Sequence, residues 1–367
     1  MNGRLRVGVI GGGVLGTSTA AALATRGADV MLLTEGELAG GASGRSLSWL
    51  NSAGPYPAEY RRLRLLGLDR YRAFAARPGS RAHIAFDGGL HWGQGARESF
   101  ARQQAVGYPA EWLSPEQVAV RVPGVDASAV PHEGAVLNPD EGWVDLPSLI
   151  DQLAADLTAA GGEVRTRAGR CTPVVAAGRV TGVRTGDGDV LRVDAVLLAT
   201  GADVPATLAG LGVPLPDATS TALLVRTPPL RTRLRMVLNT PRVAVRPAPG
   251  GALALDAAWS EDEVTRRDDG GFAVRDETVQ GLLREASRVL EGHPQLTAES
   301  YGAGRKPIPG DGHPVLGPVP GVAGLTVAFT HSGATLGLIA GELLAEEIVT
   351  GDPSPLLASF RLRRFER

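Results

Sequence analysis

The sequence predicts an α/β protein, with a parallel sheet in one part of the chain and an antiparallel sheet in another. Three observations carry this. Residues 5–33 run strand, glycine-rich turn, helix, turn and strand, the order of a βαβ unit. Residues 194–201, Asp194-Ala195-Val196-Leu197-Leu198-Ala199-Thr200-Gly201, hold an unbroken apolar run that ends in glycine, as a strand covered on both faces does. Residues 222–225, 243–246 and 252–255 are short strand-like runs; they suggest an antiparallel sheet with alternate residues on one face.

Within the first unit, residues 5–10 read as a buried strand and 17–26 as an alanine-rich helix. Residues 27–29 read as a turn and 30–33 as a second buried strand. Gly11-Gly12-Gly13-Val14-Leu15-Gly16 matches G-x-G-x-x-G between strand and helix. In that context Gly11 serves the tight turn, Gly13 the close approach of a pyrophosphate, and Gly16 helix-on-strand packing. The phosphates sit on the N–H groups of Val14, Leu15 and Gly16 at the helix N-terminus. A secretory signal is the rival reading of this apolar stretch, with Arg4 and Arg6 as its head. Glycines at 8, 11, 12, 13 and 16 break its centre, and cleavage would strip the second strand of its partner. A ribose-binding acid belongs at the end of the second strand. Counting places Thr34 there, with Glu35 one residue later, and the choice between them stays open.

The 367 residues suffice for one large or two moderate domains. A formal net charge of −2 without a basic stripe argues against nucleic acid. No apolar run approaches the ~18 residues that span a bilayer, so no membrane partner is expected and a cytoplasmic location is. Cys171 is the single cysteine, which excludes an internal disulfide and a cysteine metal cluster; no metal site is expected. Lys306 is the lone lysine among 37 basic residues.

Several motifs in order make the chain resemble the D-amino-acid oxidase, glycine oxidase and sarcosine oxidase group of FAD-dependent amine oxidoreductases. They are the βαβ unit; Gly40-Gly41-Ala42-Ser43-Gly44-Arg45-Ser46; Asp140-Glu141-Gly142-Trp143-Val144-Asp145-Leu146-Pro147; Thr172-Pro173-Val174 with the 194–201 strand; Gly304-Arg305-Lys306-Pro307; and Phe329-Thr330-His331-Ser332-Gly333-Ala334-Thr335-Leu336-Gly337. The resemblance implies a Rossmann-like FAD domain of the glutathione-reductase type, with an inserted α+β substrate domain on an antiparallel sheet. It places Ala42, Ser43, Arg45, Ser46 and Leu47 around the pyrophosphate and flavin, the backbone of Val174 at the adenine, and Ala199, Thr200 and Gly201 below the cofactor. Gly304 lies at the flavin, and Gly333, Ala334, Thr335 and Leu336 open a helix aimed at its pyrimidine end.

Residues 140–147 are read as structural, opening a helix with Leu149, Leu153 and Leu157 on one face. Lys306 stands where glycine and D-amino-acid oxidases carry the arginine that clamps the substrate carboxylate; a lysine is a point charge rather than a fork. His331, Trp49, Arg246 and Trp259 complete the catalytic candidates, with Arg226, Arg246 and Trp259 as candidates for the sheet face. The arginine-rich helix over residues 59–72 is read as a solvated face. No cysteine lies near Gly304, where sarcosine oxidases attach flavin, so non-covalent FAD is expected.

The resemblance divides the chain into a discontinuous FAD domain, residues 1–50, 143–214 and 302–367, and a substrate domain, 51–142 and 215–301. The expected reaction is oxidation of the C–N bond of an amine or amino-acid-like molecule to an imine, by hydride transfer to flavin N5, with O2 or another acceptor. The alternatives are a flavin dehydrogenase of a 2-hydroxy acid, a tailoring oxidase of a natural-product ring amine and, more remotely, a domain acting on RNA bases.

Overall fold

The first strand, Arg6–Ile10, is followed by helix Val14–Thr25 and strand Asp29–Leu33 in a computed structural model that describes residues 4–366. The helix begins three residues earlier than the alanine-rich pattern suggests. Gly13 takes the extended N-cap conformation (φ −85°, ψ 178°), so helical geometry starts at Val14. The chain divides into two compact units: Met1–Gly44, Leu146–Ser220 and Arg305–Arg367 form one; Arg45–Asp145 and Thr221–Gly304 form the other.

The first unit is built on a six-stranded sheet in the order Val315–Pro318, Leu325–Phe329, Ala195–Leu198, Arg6–Ile10, Asp29–Leu33, Glu163–Arg165. Its strands are parallel except Val315–Pro318, which pairs antiparallel at the edge. A three-stranded antiparallel sheet, Thr172–Ala176, Arg179–Arg184 and Val190–Arg192, packs on it. Gly8 makes that approach possible, because a Cβ there would stand 2.7 Å from Val183 Cγ2. Helix Val14–Thr25 packs against Leu146–Ala159 and Gly333–Thr350. The expected apolar face of the second of these is buried at Leu149, Leu153 and Leu157. The contact with Gly333–Thr350 is very close: Ser18 Oγ donates to the Gly337 carbonyl at 2.7 Å, and a Cβ on Gly341 would fall 2.5 Å from that Oγ.

The second unit carries an eight-stranded sheet in the order Ser300–Lys306, Ser220–Arg226, Ala252–Asp256, Ala244–Ala248, Val237–Asn239, Gly89–His91, Ala135–Asn138, Glu111–Leu113. The three strand-like runs are thus neighbours in an antiparallel stretch. Helix Asp276–Val289 lays Val279, Leu282, Leu283, Ala286 and Val289 into the core beneath. A small sheet of Trp49–Leu50, Gly142–Val144 and Ile84–Ala85 completes the unit.

Two expectations are corrected here. Trp259 is not on the sheet: it lies in the short helix Ala258–Asp262, with its indole N–H donated to the Arg242 carbonyl at 2.7 Å and its ring beneath the Arg242 guanidinium. The strand ends at Asp256, so the alternation that put Trp259 on a face does not extend that far. The arginine-rich helix, Ala58–Ala75, is not solvated throughout: Arg62 and Arg70 are exposed, but Arg64 is 3% exposed. Among the described residues no helix is long and apolar enough to cross a membrane.

Candidate functional site

The first unit gathers most of the expected cofactor residues at the carboxyl ends of its parallel strands. Gly11 has φ +120°, and a Cβ on it would lie 2.3 Å from the Ala199 carbonyl oxygen and 3.1 Å from Thr200 N. A Cβ on Gly16 would lie 1.9 Å from the Gly11 carbonyl oxygen. Both positions therefore exclude any side chain by backbone contact. Around Gly13 the only near atom is Ser43 Oγ, at 3.2 Å from a Cβ, so the space in front of the helix stays open.

No side chain caps the helix at Gly13, and Ser43 Oγ, in the turn Ala42–Arg45, accepts the Val14 N–H at 3.1 Å. Val14 and Leu15 form the first turn. Gly333 brings a second helix N-terminus alongside, since a Cβ there would touch Val14 Cγ1 at 3.5 Å. That helix carries Thr335 and Leu336 buried and Gly333 and Ala334 half-buried, and His331 is exposed just ahead of it. Two helix dipoles thus present positive ends side by side.

Thr34 is buried at the end of the second strand, its N–H donated to the Arg165 carbonyl, with Oγ1 against Gly12; Glu35 is exposed. Val174 lies in the three-stranded sheet beside a bulge, its carbonyl accepting from Thr181 Oγ1. The Thr200 hydroxyl is buried with no protein partner. Arg305 donates to Asp203 Oδ1 at 2.6 Å and the Ala202 carbonyl at 2.7 Å, next to Gly201, and Lys306 follows at the strand end. A flavin dinucleotide fits this arrangement: a helix N-terminus whose only side-chain acceptor among the described residues is the Ser43 hydroxyl, a turn too tight for side chains, and a buried hydroxyl that awaits a partner.

In the second unit, residues 45–52 are pinned almost one by one. The stem of Arg45 crosses Gly302 and Gly304, where a Cβ on Gly304 would meet Arg45 Cδ at 2.7 Å. Ser46 Oγ accepts the Ser48 N–H, which helps hold Ser48 at φ +57°. The Leu47 carbonyl accepts from Arg246 Nε. Arg246 is 1% exposed, and its other nitrogens reach the Pro247 carbonyl and, at 3.3 Å, Asp145 Oδ1. Arg226 shares that carboxylate at 3.3 Å. Burial pulls the Arg246 guanidinium down to about 10, opposed by the Asp145 charge. Arg64 donates to the Asn51 carbonyl and side chain at 2.6 and 2.9 Å.

Reading 140–147 as structural missed two carboxyls, Glu141 and Asp145. Glu141 is completely buried and accepts the Tyr108 hydroxyl at 2.8 Å. Its own neighbours, Asp140 and Gly142, give no sign of that, since Tyr108 and Trp49 come from distant segments. Among the described residues no group of three His, Cys, Asp or Glu is arranged to hold a metal ion.

Comparison with known proteins agrees with this geometry. The chain is similar to a glycine oxidase of Pseudomonas aeruginosa, 29% identical over 97% of this chain and 99% of the relative. A glycine oxidase of Geobacillus kaustophilus is 25% identical over 99% and 98%. Among solved structures, L-amino acid deaminase from Proteus myxofaciens in complex with anthranilate superposes with a TM-score of 0.84 at 21% identity, covering 100% of this chain and 95% of that one. Glycine oxidase from Geobacillus kaustophilus superposes with a TM-score of 0.81 at 22% identity, covering 99% and 100%. The model of the family described as FAD dependent oxidoreductase (DAO) matches residues 6–347. With that match spanning nearly the whole chain, the protein belongs to the DAO family and is an FAD-dependent oxidoreductase.

Proposed function

We propose that this protein oxidises the C–N bond of a small amine or amino-acid-like molecule to an imine, with molecular oxygen as final acceptor and FAD held without a covalent bond. Bound FAD, held by the helix N-termini at Val14 and Gly333 and by the turn at Gly11–Gly13, would supply the two-electron acceptor for oxidation of the carbon beside nitrogen. The protein's part is binding, orientation and electrostatics. The paired helix N-termini at Val14 and Gly333 favour negative charge on the cofactor.

The observation that carries the substrate class is the place of Lys306 at the end of the strand Ser300–Lys306. Successive residues of a strand point to opposite faces. Arg305 is bound into Asp203 and the Ala202 carbonyl. Lys306 is the cation this reading assigns to a substrate carboxylate, with His331 and Trp49 as further substrate-side groups. A single ammonium holds a carboxylate less rigidly than a guanidinium fork, which suits a substrate broader than one small amino acid. Relatives of similar length that carry the glycine oxidase name support the amine class.

Product analysis under air tests the reading. An amine substrate should give a carbonyl compound after imine hydrolysis, release of ammonia or the smaller amine, and one hydrogen peroxide per oxygen consumed. Conversion of 2-hydroxy acids with no nitrogen compound released would replace the amine reading by the hydroxy-acid one.

A further inference from the structure

The Trp49–Ser52 segment follows directly on the cofactor loop and is held from within the second unit by a buried polar hub. Glu141 Oε1 accepts the Tyr108 hydroxyl at 2.8 Å, and the Tyr108 oxygen accepts the Ser52 N–H at 3.0 Å. The indole nitrogen of Trp49 lies beside the same carboxyl and interacts with it electrostatically, outside strict hydrogen-bond geometry. Gly89 leaves room for both: a Cβ there would stand 2.8 Å from Glu141 Oε2 and 3.2 Å from Trp49 Nε1. Between these two attachments, Asn51 donates to the Trp49 carbonyl and is gripped by Arg64. A completely buried carboxyl is costly, and no bond of Glu141 serves a helix cap or an ion pair at hydrogen-bond distance among the described contacts. Its carboxyl partners are Tyr108, which itself holds Ser52, and the Trp49 indole beside it.

We propose that Glu141 is a positioning residue: its two carboxyl oxygens hold the Trp49 indole and, through Tyr108, the Ser52 backbone, and so fix where Trp49 stands for the reaction. The last clause rests on the reading above that Trp49 is a substrate-side group. The hold depends on protonation. As a carboxylate Glu141 accepts from Tyr108 and attracts the indole N–H beside its other oxygen, while the neutral acid has one oxygen that must itself donate. Burial pushes the Glu141 carboxyl up to about 8, opposed in turn by Tyr108, Trp49 and the charge of Arg64. Tyr56, stacked under Arg64, also feels that carboxyl, and burial raises its phenol. His91, two residues beyond Gly89, is kept neutral by burial, at about 4. His91 stays uncharged through the range in which Glu141 changes charge.

Nitrogen-15 indole NMR of the holoenzyme tests this without using turnover. The Trp49 resonance is the one lost in Trp49→Phe. It should shift with a midpoint near pH 8 in the wild type and stay fixed across that range in Glu141→Gln. In Tyr108→Phe, which removes a donor to the ionised form, the midpoint should move to higher pH; this variant keeps the test available if Glu141→Gln does not fold. An indole that does not respond to pH, or responds equally in Glu141→Gln, or an unmoved midpoint in Tyr108→Phe, overturns the role of Glu141.

Kinetics then test the link to the reaction. Glu141→Gln should lower kcat/KM by about ten- to a hundredfold, and should cost nothing further in a Trp49→Phe background. An equal loss in both backgrounds overturns positioning through Trp49. If the indole titrates as stated but Trp49→Phe turns over like the wild type, the hub stands and the placement of Trp49 at the reacting centre fails.

Discussion

Gly341→Ala should destabilise the first unit although alanine is the better helix former. The added Cβ would lie 2.5 Å from Ser18 Oγ and 2.8 Å from both Ser18 C and Ser18 Cβ. Carbon atoms in contact normally stand ~3.5–4.0 Å apart, so the overlap is about 1 Å. Rotating the serine hydroxyl cannot relieve it, because two of the three atoms belong to the backbone and its first side-chain carbon. Alanine gains roughly 1 kcal/mol of helix propensity. Against that, forced overpacking costs ~1–3 kcal/mol, and losing the buried Ser18–Gly337 hydrogen bond costs about 1 kcal/mol. The net expectation is a loss of ~1–3 kcal/mol, or several degrees in Tm. Separating the two helices also parts Val14 from Gly333, so FAD retention should fall with stability. Thermal melts at fixed FAD concentration, with flavin content measured after gel filtration, make the assay. Gly36→Ala, where a Cβ meets nothing within 4 Å, is the control and should stay near wild type. A Gly341→Ala protein that melts at or above the wild-type temperature with full flavin content would refute the close-packing argument.

Gly16→Ala should strip FAD and also lower the Tm, because its Cβ collides with the Gly11 carbonyl at 1.9 Å; Gly13→Val should strip FAD at a smaller cost in Tm, since the nearest atom to its Cβ is Ser43 Oγ at 3.2 Å. Arg246→Met leaves Asp145 and the Leu47 carbonyl buried without it, and should cost about 3–5 kcal/mol; adding Asp145→Leu should recover part of that loss in urea unfolding. Glu141 has a folded-state pKa raised to about 8 from the usual 4.5, so the folded chain binds the proton more tightly than the unfolded one. Its contribution is then greatest below about pH 4.5 and is lost as pH rises to about 8; Glu141→Gln should flatten that fall in a Tm-against-pH series. Lys306→Met should lower kcat/KM for carboxylate-bearing substrates, by about 2–5 kcal/mol if the ammonium holds a substrate anion; stopped-flow measurement of reduction and reoxidation shows which half-reaction slows.

The parts of the fold legible in the sequence were those set by neighbours along the chain. The βαβ unit announces itself because glycine is required wherever backbone meets backbone, as at Gly11 against Ala199 and Gly16 against Gly11. The one-face spacing of Leu149, Leu153 and Leu157 was equally local. What stayed hidden depends on pairings across long stretches of chain. Arg64 looked like one more arginine of a polar helix, and only the fold brings Asn51 to it. Asp145 reads as a helix-start residue until Arg226 and Arg246 arrive from strands 81 and 101 residues further on. Trp259 misled because alternation has no marker for where a strand stops, and here it stops at Asp256. Nothing in the sequence ties Arg305 to residues 202–203; only the fold brings its guanidinium to Asp203 and the Ala202 carbonyl.

Anaerobic mixing of the purified yellow holoenzyme with a panel of amines and amino acids tests the central claim most directly. At least one amine should bleach the visible flavin band in a stoichiometric, oxygen-independent step, and deuterium on the carbon beside nitrogen should slow that step severalfold. Heating should then release the cofactor as FAD into the supernatant. A protein that holds FAD but is bleached only by 2-hydroxy acids, or an amine whose deuteration leaves the reduction rate unchanged, would contradict hydride transfer from a C–N carbon.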